Sequence, residues 1–430
     1  MVELRLGRAP AAPPSSPLAA VAAAGAQWLA EDDPRLHALL VAEHGEREEN
    51  LVLRAPGPAP DPTATACGAV LPADPVSGVD GGPVERLALE RARSVFGAEY
   101  ADVRPNSGAE ARSLVLDAVL GPDEVVLDAR LGTRPRDGRA HRTVEHLLAV
   151  GEGFDHDGLA ARAARERPAV LLCGGEPHPL TPDFARLRAI ADGVGALLVV
   201  DISHVAGLAA TGLLPSSVDH AHVTTLDVAT GLPGARGGVV LCGRDARTPV
   251  RGTPLADLLA ARTSRERRGT PDLAVLAGTA RALDVVRGDD FREEVLRTAL
   301  GAAELAAEFA LLGHRVVTGG TDNHVVFVEL PADVGPYAVD VLREVNLVVD
   351  RVPGPDPVIA LDVTSAGRRG FDRSEMRHVA QLADEALKGA RTGDRLDRFT
   401  RLSVRDEVLR LLWQFPLPRH VPTTRWRTHP

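Results

Sequence analysis

Lysine is almost absent from this 430-residue chain: of 49 basic residues only Lys388 is a lysine, and the rest are arginines. Chemistry that needs a side-chain amine to condense with a carbonyl therefore has one candidate, because arginine stays protonated. Tyrosine is nearly as scarce, with Tyr100 and Tyr337 alone. The three cysteines, Cys67, Cys173 and Cys242, share no metal-ligand spacing. Two of them close apolar runs, Ala169-Val-Leu-Leu-Cys173 and Val239-Val-Leu-Cys242, and read as buried thiols in a reducing, cytoplasmic setting. No apolar run approaches the roughly eighteen residues that a bilayer span requires. Met1 to Pro17 has no apolar stretch behind a basic start, so it makes a poor signal peptide and reads as a disordered tail. The 59 acidic residues leave a net charge of −10, which argues against nucleic acid and anionic membrane as partners.

What is present is ordinary for a globular chain: 44% apolar and 25% charged residues, and length for a large core in two or three domains. The richness in Arg, Ala, Gly and Pro reads as coding bias. Asp33-Pro34 starts a helix that runs to His44. The Pro- and Gly-rich stretch Ala55 to Gly82 predicts an irregular loop. Helices are then predicted at Pro83–Phe96, Ser107–Leu120 and Asp183–Val194. Buried parallel strands are predicted at Glu124–Leu127, Ala169–Leu172, Ala196–Val200 and Gly238–Leu241. This rhythm is that of a doubly wound α/β domain with a mainly parallel sheet. Pro271–Val286 reads as a long helix leaving it. A smaller α+β domain follows, with strands Asn323–Leu330 and Leu347–Val352 and helices Tyr337–Glu344, Arg373–Leu387 and Leu402–Leu412. The expected division is a tail at 1–24, an N-terminal arm and irregular segment at 25–82, a large domain at 83–287, a small C-terminal domain at 288–415 and a tail at 416–430.

Three segments read as a cradle for pyridoxal phosphate: Val199-Val-Asp-Ile-Ser-His-Val-Ala-Gly207, Thr224-Thr225, and Gly234-Ala-Arg-Gly-Gly238. They are joined by Glu85-Arg-Leu-Ala88, Phe96-Gly-Ala-Glu-Tyr100, Arg188-Ala-Ile-Ala-Asp192, Gly319-Gly-Thr-Asp-Asn-His324 and Arg368-Arg-Gly-Phe371. In this order and spacing the chain resembles serine hydroxymethyltransferases (glycine hydroxymethyltransferases) from about Pro34 to Pro416. The resemblance implies an α/β fold, with a fold-type-I PLP-transferase-like large domain and a smaller α+β domain. It also implies an aspartate, Asp201, that pairs with the pyridine nitrogen, and His204 close to the ring. Ser107-Gly108-Ala109 falls where the family's Ser-Gly-Ser opens a helix and binds phosphate, with one hydroxyl lost. Arg236 with Gly237-Gly238 is kept, for ligand or for a tight turn. Asn323 and His324 are expected to serve folding of the small domain.

The same resemblance shows what is missing. Thr230 stands six residues before Arg236, where the Schiff-base lysine belongs, and its predecessor Ala229 offers no base. Lys388 reads as a solvated helix-end cation. The family's catalytic carboxylate falls on Pro56-Gly57-Pro58, its tyrosine pair within Ala73–Ser77, and its ring-stacking histidine near Gly132. The arginine that grips the substrate carboxylate aligns with Ala360. The glycine-rich loop reaching a neighbouring subunit becomes Arg265-Glu-Arg-Arg268, and a serine facing the cofactor becomes Glu176. A shortened loop before Val358 argues against tetrahydrofolate. Three readings follow. One is a non-catalytic paralogue without covalently bound cofactor, paired as a homodimer or as a heterodimer with an active family member, in which Arg262–Arg268 is an interface or ligand loop or else a solvated segment. Another is a repurposed, lysine-independent enzyme using Asp201 and His204 for acid–base work, with Asp227, Glu176 and His178 in the same cavity. The last is a non-covalent pyridoxal-phosphate binder. In each, serine–glycine exchange is expected to be absent.

Overall fold

Short runs with almost no charge, such as Val170–Gly174, Leu197–Asp201 and Gly238–Cys242, are buried nearly throughout and form interior strands of a seven-stranded sheet. The computed structural model describes residues 27–55, 60–70, 82–131, 141–148, 154–266, 272–390 and 396–417. The tail expected at 1–24, and the one at 416–430 beyond Leu417, lie outside them. In space the strands run Tyr100–Asp102, Gly238–Cys242, Val223–Asp227, Leu197–Asp201, Val170–Gly174, Val125–Leu131 and Arg142–Leu148. The five from Val223–Asp227 to Arg142–Leu148 are parallel. Gly238–Cys242 departs from the expected parallel strand: it is antiparallel to both of its neighbours. A fully buried apolar run carries no information about strand direction, which explains the error. Helices Gly82–Phe96, His156–Glu166, Phe184–Val194 and Leu273–Val285 cover one face of the sheet, and Gly108–Val119 with Leu255–Glu266 covers the other.

The second sheet has five strands, in the order Leu51–Leu53, Leu347–Arg351, Val358–Asp362, Val325–Glu329 and Arg315–Val316. Leu51–Leu53 pairs in parallel with Leu347–Val349, so part of the N-terminal arm belongs to this sheet. Its apolar side chains share one core with helices Asp289–Leu311 and Arg373–Gly389, and helix Arg398–Gln414 packs on the latter. The stretch expected to be an irregular loop contains a helix, Pro62–Val70, started by the Asp61 carboxylate accepting from Thr63 N at 2.8 Å. The two sheets meet where the large sheet's parallel strands end. There Asn323 Nδ2 donates to His178 O at 2.9 Å, and the Asp322 carboxylate accepts from Thr181 N. Among the described residues no helix is long and apolar enough to cross a membrane.

Candidate functional site

The carboxyl ends of parallel strands are where an α/β sheet places its ligands. Asp201, the last residue of its strand, sits there with its side chain 1% exposed. A carboxylate this deep needs a charge or hydrogen-bond partner for each oxygen. Both are satisfied from within the chain: Oδ2 takes Arg112 Nη1 at 2.6 Å, and Oδ1 accepts Ser203 N at 2.9 Å and Ser203 Oγ at 2.5 Å. Arg112 was not singled out in the sequence. Its signal is positional, since it follows Gly108 by four residues on helix Gly108–Val119 and so shares that residue's face.

The amino end of the same helix is the second half of the cradle. Ser107 caps it, its Oγ accepting from Glu110 N at 3.1 Å. Gly108 N, in the first turn of this helix, donates to Asp227 Oδ2 at 2.7 Å. Asp227 is seated so close that a Cβ on residue 108 would lie 2.7 Å from the Asp227 Cβ. The other oxygen of Asp227 accepts from Ala229 N at 2.9 Å, Thr230 N at 3.0 Å and Thr230 Oγ1 at 3.2 Å. Asp227 N donates to Ser203 Oγ at 2.9 Å, which links the two carboxylates. Thr230, where the resemblance places the lysine, is thus one member of a closed hydrogen-bond network.

His204 lies between two cavities. The first, about 620 Å³ including the solvent at its mouth, is mainly apolar and has Glu176, His178, Asp201, His204 and Asn323 on its walls. The second, about 500 Å³, brings His204 and Thr230 together with Glu294, His324 and Arg368. Desolvation pushes the His204 imidazole below its ordinary pKa; nearby Asp362 opposes the shift and His324 adds to it. His324 Nε2 stands 3.7 Å from Asp362 Oδ2, and Asp362 Oδ1 accepts from Thr364 N at 2.9 Å. Burial also raises the Glu294 carboxyl, against the pull of Arg368 and Arg297. His178 is turned by contacts of its Nδ1 with the Leu180 backbone, and burial lowers its pKa too. Asp201 and His204 share the first cavity, and the charges of Asp201 and Asp227 act on the His204 imidazole after that of Asp362; the hydrogen bonds of Asp201 itself go to Arg112 and Ser203. Asp227 faces the helix end rather than the first cavity.

The other sequence-derived positions are dispersed. Arg236 is exposed on the turn before Gly238–Cys242. Gly238 is there for backbone contact, since a Cβ on it would lie 2.1 Å from Ser107 O, while Gly237 has φ +133° and a Cβ there would meet Thr279 Oγ1 at 2.5 Å. Asn323 serves folding as expected, its Oδ1 accepting from Val325 N at 2.9 Å. Lys388 Nζ is held by Asp384 Oδ2 at 2.7 Å in the last turn of its helix, and Asp384 also bonds His314 Nε2 at 2.8 Å. Ala360 faces a separate cleft with Glu176, Arg351 and Asp362. Part of the Arg262–Arg268 cluster is helical rather than loop, and Arg262 pairs with Asp117 at 2.8 Å. Pro56-Gly57-Pro58, Ala73–Ser77, Gly132 and Arg267-Arg268 lie outside the described residues.

As arranged, these residues do not fit pyridoxal phosphate. The carboxylate for its ring nitrogen already holds a guanidinium, and a helix N–H for its phosphate already holds a carboxylate. Thr230, where the resemblance places its amine partner, is bonded to that same carboxylate.

Comparison with known proteins agrees with the fold. The family profile described as serine hydroxymethyltransferase matches residues 79–383. The chain is 34% identical to serine hydroxymethyltransferase of Mycobacterium leprae (strain TN), over 90% of this chain and 96% of that one. Serine hydroxymethyltransferase 1 of Mycobacterium bovis is also 34% identical, with the same coverage. Serine hydroxymethyltransferase of Jannaschia sp. (strain CCS1) is 33% identical over 77% of this chain and 79% of its own.

Proposed function

The chain belongs to the serine hydroxymethyltransferase family, and from that premise we propose that it is a non-catalytic member. In this reading it holds no covalently bound pyridoxal phosphate, does not use tetrahydrofolate and does not interconvert serine and glycine. It works in the cytoplasm as a structural or regulatory subunit, paired with itself or with an active family member. One observation carries the reading. Thr230 replaces the amine and is tied to Asp227, while the chain's single lysine is tied to Asp384 on a helix of the second sheet's layer. Without an amine the cofactor has nothing to form its covalent link with, whatever else the cleft retains. The test is turnover by the purified chain with pyridoxal phosphate, L-serine and tetrahydrofolate. Glycine formation no faster than the protein-free control is expected, and turnover by homogeneous protein would refute the proposal.

The convergence of His204, His324 and Asp362 supports a second reading, a lysine-independent enzyme that moves a proton through a neutral imidazole. The readings separate on His204→Ala. A subunit role leaves the partner's activity unchanged by this substitution, whereas an enzyme of its own loses turnover.

A further inference from the structure

Arg112 and Asp227 carry the same signs of charge as the two ends of the absent cofactor, a protonated ring nitrogen and a phosphate, and each sits on the group that would receive that end. We propose that they are a built-in replacement for the cofactor: the cradle is plugged from within and is closed to phosphorylated ligands. The proposal deepens the non-catalytic reading and rests on it for the absence of covalent chemistry.

Both contacts go beyond what local structure needs. Asp227 starts the four-residue helix Val228–Gly231 with Oδ1 alone, and that requirement is met by Ala229 N and Thr230 N. Its Oδ2 adds a bond across 119 residues to Gly108 N, at the positive end of a twelve-residue helix. The missing side chain of Gly108 makes room for Asp227 itself, so this glycine is explained without a ligand. Arg112 similarly spans 89 residues to reach the buried Asp201. Ser203 donates to Asp201 and accepts from Asp227 N, which couples the two substitutes into one network. A phosphate entering the helix end would compete for Gly108 N–H with a carboxylate and would meet its like charge. A pyridine nitrogen would have to displace a guanidinium.

Chemical rescue tests this directly. Asp227→Ala empties the anion position. Its thermal midpoint should fall, and inorganic phosphate should then raise it saturably, whereas chloride at equal ionic strength should not. Phosphate should bind this variant at least about tenfold more tightly than it binds the native chain, roughly 1.4 kcal/mol. Equal phosphate affinity in the two proteins, or a folded Asp227→Ala that ignores phosphate, overturns the proposal. If Asp227→Ala does not fold, equilibrium dialysis of the native chain against millimolar pyridoxal phosphate decides: no saturable binding is expected, and saturable binding overturns it. Binding without turnover would remove the plug and leave the non-catalytic reading standing. Turnover of serine would remove that reading instead.

Discussion

Replacing Arg112 with methionine should destabilise the chain strongly, although Arg112 lies beside a cleft. Its guanidinium is 2.6 Å from Asp201, whose side chain is 1% exposed, while Arg112 itself is 21% exposed. Removing one partner of a buried pair costs about 3–5 kcal/mol, since the other charge is left uncompensated in a poorly polarisable site. Two features reduce this here: Ser203 still gives Asp201 two hydrogen bonds, and water reaches part of the vacated volume. We therefore expect Arg112→Met to cost about 2–4 kcal/mol. Asp201→Asn removes the charge but keeps the shape, and its arginine partner can turn toward solvent, so about 1–2 kcal/mol is expected. In Arg112→Met/Asp201→Asn no unpaired charge remains, and the double variant should be more stable than the sum of the singles implies by about 1–3 kcal/mol. Urea unfolding of the four proteins at constant pH reads this cycle, with midpoints moving at unchanged slope. Additive effects within about 0.5 kcal/mol would refute the pair. A neutral Arg112→Met would show that Asp201 does not depend on it.

Three further outcomes follow from the same geometry. Gly238→Ala should cost about 3 kcal/mol, because its Cβ would fall 2.1 Å from Ser107 O, where only backbone could yield; an unfolding midpoint equal to the parent's would refute this. His178, His204 and His222 are all held below the ordinary value of 6.5 by burial. As pH falls through 6.5 the unfolded chain takes up protons that the folded chain refuses, so stability is complete above that value and declines below it. Urea midpoints on the two sides of this window check the sign, and a midpoint that rises on acidification would contradict it. Burial pushes the Cys242 thiol up and Cys173 is 1% exposed, whereas Cys67 is half-buried. A maleimide should therefore label Cys67 in the native chain and all three cysteines after denaturation, and native labelling of Cys242 would refute its burial.

Much of the fold is legible in the sequence, because apolar runs mark buried strands and caps mark helix ends. Asp33, Ser107, Asp183 and Asp272 all accept backbone N–H groups at helix starts that fall within two residues of those expected. The misses share a physical cause. Arg142–Leu148 (Arg-Thr-Val-Glu-His-Leu-Leu) is a sheet-edge strand without a polar–apolar alternation, and Leu51–Leu53 is three residues long and defined by pairing with residues almost 300 positions away. Pro62–Val70 consists of small residues with no apolar period. At the site, the presence of a threonine at 230 and of a single lysine at 388 can be read directly, because it is a matter of residue identity. The engagement of Asp201 and Asp227 cannot, because Arg112 and Gly108 reach them from elements far away in the chain. Motif matching assigns Asp201 a role through its neighbours in sequence, whereas its ion pair is made with a neighbour in space.

The proposed plug has a consequence for attempts to install an amine at residue 230. Thr230→Lys supplies the missing amine, but it emerges beside the carboxylate that the Thr230 hydroxyl contacts at 3.2 Å. An adjacent carboxylate favours the ammonium form and lowers the fraction of free amine at neutral pH. The same carboxylate occupies the phosphate's donor, and Arg112 occupies the ring's partner, so an incoming aldehyde would not be held against the amine. Thr230→Lys alone should therefore yield no borohydride-stable pyridoxal adduct at residue 230 by peptide mass analysis. Thr230→Lys combined with Asp227→Thr and Arg112→Asn, which removes both substitutes, should yield one. An adduct at residue 230 in the single variant would show that the plug is not a barrier. Its absence from a folded triple variant would show that other missing residues, and not the plug, keep the cofactor out.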